Sequence, residues 1–248
     1  MQQFLGQIVD QGGQVFNVNA YRPSPGSSDQ DAVNAALAAI AATPNQSGIL
    51  YFPPGTFTVN IALPANRAPV HVQGSGIAAT RLVSGSPTTP VIYVARGARN
   101  GVRGVVASGF TVVPHAQANA STPSLIDLAG FWGSTFRDIA YQQNPKAGPA
   151  AGWPLAMFTL SAFRGGFEMP CYGNLLSHIF VQEQPFGPKN VILFENDGTN
   201  DVSKNANSNF IEQLWCYSNR NIDFVVDALR SSLVTIRDSE IEDNPTAT

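Results

Sequence analysis

The chain has 248 residues, of which 12% are charged, and a formal net charge of −3. Charged residues usually make up about a quarter of a globular chain, so Asn, Gln, Ser, Thr and Gly carry most of the polar surface here. No basic cluster is present to draw nucleic acid or an anionic membrane, and no apolar run approaches the ~20 residues that cross a bilayer.

Met1-Gln2-Gln3-Phe4-Leu5-Gly6 lacks the cationic start and long apolar core of a secretory signal. Residues 1–14 read as an amino-terminal extension, and 15–248 as one domain that continues or is covered at its carboxyl end. Release by lysis, or earlier removal of a leader, would explain the missing signal. Val15-Phe16-Asn17-Val18 then reads as a short strand. Val33, Ala36, Leu37 and Ile40 fall at i, i+3, i+4 and i+7, one face of a helix that Ser28 or Asp29 can cap and Thr43-Pro44 stops. Alanine on the other faces lets that helix lie close against a flat surface. A second strand follows and runs into Pro53-Pro54-Gly55.

Two segments carry a family resemblance. Ser28-Asp29-Gln30-Asp31-Ala32-Val33-Asn34-Ala35-Ala36-Leu37 and Ile49-Leu50-Tyr51-Phe52-Pro53-Pro54-Gly55-Thr56-Phe57 resemble the opening of the pectate-lyase-like superfamily. Asn19-Ala20 stands where that family usually has Gly-Ala, and Arg22-Pro23-Ser24-Pro25-Gly26 replaces its usual turn. The resemblance implies an all-β, right-handed parallel β-helix with an amino-terminal capping α-helix.

From Leu82-Val83 onward, short apolar strands alternate with a longer motif. The short strands are Val91–Val94, Leu125–Leu128, Leu155–Phe158, Val191–Phe194 and Ile222–Val226. The longer motifs are Ala107–Val112, Phe136–Tyr141, Leu176–Val181, Ile211–Cys216 and Ile236–Ile241, apolar at their first, fourth and sixth positions. Asn144, Asn219 and Asn244 follow three of them and suit a turn whose amide bonds the next coil. Unit starts step by roughly 30–35 residues, an irregularity that solenoids absorb in their turns. A flat β-sandwich would not align its strands unit by unit.

Stacking the units places equivalent residues about 4.8 Å apart. One outward column then reads Ala140, Phe180, Trp215, Glu240. A second reads Gln142, Gln182, Tyr217, Glu242, beside Gln143, Glu183, Ser218, Asp243, and the near flank reads Arg137, Ser177, Glu212, Arg237. Sugars bind such faces, since aromatic rings cover their C–H faces while amides and carboxylates take the hydroxyls. Trp215, Tyr217, Phe180, Arg137 and Arg237 are therefore the candidate substrate-binding residues. A loop over 197–208 covering the rings is the competing reading. Glycoside cleavage needs two carboxyl groups, and Glu212 with Glu240, or Glu183 with Asp243, are the candidate pairs; a merely solvated last coil is the alternative.

Three classes of function compete: a polysaccharide-cleaving enzyme, a carbohydrate-binding spike, and a structural tail segment. Hydrolysis needs no cofactor and is favoured. Elimination would require a base such as Arg137 or Arg237 and would often bring in Ca2+. Cys171 and Cys216 are too few for a disulfide scaffold, and Cys216 falls on an inward position as a buried thiol. His71, His115 and His178 are scattered and suggest no metal site. The missing signal, polar β surface and uncapped end resemble phage tailspikes with depolymerase activity. That resemblance implies a homotrimer on a virion tail, or else a secreted enzyme. Its partner would be a bacterial capsule, a lipopolysaccharide or a plant uronan.

Overall fold

The computed structural model describes residues 14–65, 68–95, 101–119, 122, 124–146, 154–164, 167–182, 187–195, 206–217, 222–228 and 231–242. Asp29–Ala41 forms the one α-helix among them, α1, and Ala32, Val33, Ala36 and Ile40 are its buried stripe. Ser28 caps it: its Oγ accepts from Asp31 N–H while the Asp31 carboxylate accepts from Ser28 N–H, a reciprocal pair that satisfies two end donors. Asp29 is thereby left for other work, pairing with Arg22 and accepting from Thr58 N–H at 2.8 Å. Gln30 exchanges two hydrogen bonds with the backbone of Asn60. The helix is thus stitched to the rim of the first coils, whose strand edge would otherwise present unpaired N–H groups. The residues that depart from the family opening build a 3-10 turn, Val18–Tyr21, with Arg22 donating to Ser27 O.

Beyond the helix the chain winds into a right-handed parallel β-helix with three faces. The front sheet, eleven-stranded among the described residues, runs in chain order through Val15–Asn17, Gly48–Phe52, Val70–Gly74, Val106–Val113, Thr135–Tyr141, Leu175–Gln182, Phe210–Tyr217 and Thr235–Arg237. Gly55–Val59, Thr80–Ser84 and Glu240–Glu242 extend it sideways. The back sheet stacks Ile61–Leu63, Ile92–Val94, Ser124–Asp127, Ala156–Ser161, Asn190–Glu195 and Phe224–Asp227, all parallel. A third, narrow face pairs Val102–Arg103 with Phe131–Trp132 and Ala206–Asn207 with Ser231–Ser232, bridged by Tyr172. These two-residue strands, and the antiparallel hairpin of Phe163–Arg164 with Phe167–Glu168, are too short for a periodic sequence pattern to reveal. Residues one coil apart are separated by 29, 40, 35 and 25 positions at successive coils, a wider scatter than the expected 30–35.

Apolar columns fill the interior. Phe136, Leu176 and Ile211 stack in one, and Ile139, Ile179 and Leu214 in the next. Phe136 meets Phe131 and Phe158 edge to face, with centroids 5.2 and 6.3 Å away, so one ring touches side chains of all three faces. Both cysteines are buried. Toward the last described coil, Ile236 and Ile241 occupy core columns yet are 46% and 48% exposed.

Turns are held by a polar ladder inside the coil. Asn174 Oδ1 accepts from Ser134 N–H, its amide donates to Phe131 O and to Asn209 Oδ1, and Asn209 Oδ1 also accepts from Asn174 N–H. Asn144 makes the expected inter-coil bond, donating to Pro114 O at 2.9 Å. Asn219 and Asn244 lie outside the described residues.

Candidate functional site

The long front strands bend at their third motif position. Asp138, His178, Gln213 and Asp238 all adopt φ between 51° and 54°, and Gly109 stands at the same place with φ 76°. A left-handed residue breaks the two-residue alternation, which is why the first and fourth motif positions both point inward. Past that corner the strand resumes, and its outward residues form a straight column.

The register of that column is continuous over seven coils: Thr56, Arg81, Thr111, Ala140, Phe180, Trp215, Glu240. Its neighbour stacks Gln182 on Tyr217 and Tyr217 on Glu242. Phe180 packs edge to face on Trp215 with centroids 5.2 Å apart, and Trp215 remains 37% exposed. Alongside lies a cavity of about 680 Å³ lined by Ile77, Arg81, Thr111, Ala140, Gln142 and Phe180, with Tyr141, Gln143, Pro145 and Gln182 completing its walls. Thr111 Oγ1 is occupied by a hydrogen bond to Ile77 O, so the floor offers a methyl group and Ala140 rather than a hydroxyl. The side walls are amides. Tyr141 turns its ring to the core, where burial pushes its phenol far above the ordinary value.

The expected near flank also exists: Arg137 stacks on Ser177, Ser177 on Glu212 and Glu212 on Arg237. The side chains there are committed to one another. Arg237 Nε and Nη2 both donate to Glu212 Oε2, at 3.0 and 2.7 Å. Arg137 stands 3.9 Å from Asp138, which is also 3.7 Å from His178 Nδ1, all of them exposed around the corner. Glu240 sits one coil below Trp215 and is exposed, on the opposite side of the corner from Glu212. Glu183 and Asp243, the other candidate pair, lie outside the described residues. Among the described residues no group of three or more His, Cys, Asp or Glu converges as a metal site requires.

Two features of this surface were not legible as site residues. Arg81 precedes the recognisable repeats, and the structure sets it outward between Thr80 and Leu82, both buried. The narrow face carries a second ladder, where the Arg103 guanidinium lies 4.8 Å from the Trp132 ring centroid and Tyr172 stacks next, 46% exposed. A glycine follows each of Arg103, Trp132 and Tyr172; Gly104, Gly133 and Gly173 all have positive φ and turn the chain toward the front sheet.

No protein-family model matches the chain, and no curated protein matches it in sequence. Solved structures do match in shape. An ι-carrageenase complexed to ι-carrageenan fragments aligns with a TM-score of 0.57 at 14% identity, over 92% of this chain and 51% of that one. A 1,3-α-1,4-β-D-galactose-4-sulfate-3,6-anhydro-D-galactose-2-sulfate 4 galactohydrolase aligns with a TM-score of 0.53 at 15% identity, over 93% and 53%. The chain therefore spans about half the length of these structures. At such identities the likeness is one of architecture, and that architecture is the right-handed parallel β-helix.

Proposed function

We propose that the chain is the glycan-binding body of a polysaccharide-degrading protein, with the polymer lying along the front sheet past the corner. The observation that carries this reading is the unbroken outward column, small at Thr111 and Ala140 and aromatic at Phe180 and Trp215, opening onto the amide-walled groove. An extended polymer matches a surface whose side chains repeat at the inter-strand spacing. Two similar folds are named as an ι-carrageenase and a galactohydrolase, and hydrolysis is the reaction we favour. Glu240, exposed and in register with Trp215, is then the candidate carboxyl group beside the platform, and Glu212 its candidate partner. The Arg237 contact to Glu212 equally favours a second reading, retention of the glycan without cleavage.

Trp215→Ala should reduce retention on a glycan affinity gel at least tenfold while leaving the melting temperature within a few degrees. Unchanged retention would remove the platform from the account. On the same glycan, reducing ends without ultraviolet absorbance from an unsaturated product would mean hydrolysis, and their loss in Glu240→Gln would assign that carboxylate. Binding without product would select the adhesin reading.

A further inference from the structure

Among the described residues, Arg81 is the single cation lining the front groove, and no carboxylate among them lines it. Its neighbours in the column are Thr56 and Thr111, neither of which can neutralise it. Among the described residues its guanidinium has no ion-pair partner, unlike Arg22, Arg137 and Arg237, which stand against Asp29, Asp138 and Glu212. Arg103, the other arginine beside an aromatic ladder, is laid over Trp132. A guanidinium left unpaired beside a concave, amide-walled floor has its five donors directed to whatever enters. Phe180 closes the floor three coils away, about 14 Å along the stack, with only Thr111 and Ala140 between.

We propose that this groove is a subsite for an acidic sugar, in which a carboxylate or sulfate substituent docks on Arg81 while the ring lies over Thr111 and Ala140 toward Phe180. The inference rests on the glycan-binding reading above and names the substrate class: an anionic rather than a neutral polysaccharide. Planar guanidinium donors suit both substituents, since each offers two or more oxygens in fork geometry. Gln142, Gln143 and Gln182 supply neutral donors and acceptors for the hydroxyls. The subsite is made by side chains from four successive coils, Arg81, Thr111, Ala140 and Phe180.

The test is a calorimetric panel of cellohexaose, O-sulfated cellohexaose and hexagalacturonate against the full chain, Arg81→Gln and Trp215→Ala. The proposal expects the wild type to prefer an acidic ligand, Arg81→Gln to weaken that ligand about tenfold, and added salt to weaken only the wild-type interaction. Preference for the carboxylated over the sulfated ligand, or the reverse, identifies the substituent. Equal binding of neutral and acidic ligands, or an acidic preference that survives Arg81→Gln, overturns the subsite while leaving glycan binding intact. If none of the ligands, nor any glycan on the affinity gel, binds the folded wild type, the glycan reading itself has failed and the subsite with it.

Discussion

At the scale of single residues, the front face is decided by how each polar side chain is occupied. Glu212 and Arg237 satisfy each other, whereas Glu240 and Arg81 remain exposed five coils apart in one column. His71 is occupied differently. Its Nδ1 accepts the N–H of Val106 in the next coil at 2.9 Å, and burial holds its pKa below the ordinary imidazole value of 6.5. A proton on Nδ1 would abolish that bond. As pH falls below 6.5 the unfolded chain takes up a proton that the folded one refuses, so stability decreases toward acid until the lowered folded pKa is reached. We expect the melting temperature to fall between about pH 7 and pH 5, and His71→Asn, which keeps an acceptor but cannot titrate, to flatten that slope. A slope unchanged by the substitution would assign the acid sensitivity elsewhere.

At the scale of elements, turns rather than strands distinguish this coil. The left-handed corner residues Asp138, His178, Gln213 and Asp238 bend the long strand and set its inward positions. The alternative, an unbroken eight-residue strand, would drive the fourth position outward. The Ser134–Asn174–Asn209 ladder holds the preceding turn. Asn174 is fully buried, and Asn174→Ala would strand the Phe131 carbonyl and the Ser134 N–H in a dry interior. The expected cost is about 3 kcal/mol, read as a lower urea midpoint at constant m-value. A loss below about 0.5 kcal/mol would mean that water replaces the amide.

At the scale of the whole molecule, stability comes from columns that run through the stack. Phe136 is the junction, fully buried and in ring contact with Phe131 of the narrow face and Phe158 of the back sheet. Phe136→Ala removes a ring from a close-packed interior that cannot collapse without moving three sheets. We expect a loss of about 3–5 kcal/mol in denaturant unfolding. A value near 1 kcal/mol would show that adjacent coils relax into the space. The two ends differ in the same terms: α1 seals the first coils through Asp29 and Gln30, while Ile236 and Ile241 remain half-exposed.

The sequence by itself determined what is local. Helix spacing and capping chemistry placed α1 with Ser28 or Asp29 as its cap, a choice the structure makes for Ser28, and apolar spacing placed the long motifs and the outward columns through Phe180 and Trp215. Only the tertiary structure decided the cross-coil meetings outside those columns, Arg81 beside Thr111 and Asn174 on Asn209. The physical reason is register. Partners one coil apart are 25 to 40 positions apart in the chain, separated by turns of unequal length. Their pairing is set by parallel backbone hydrogen bonds and a shared core, which no local pattern encodes.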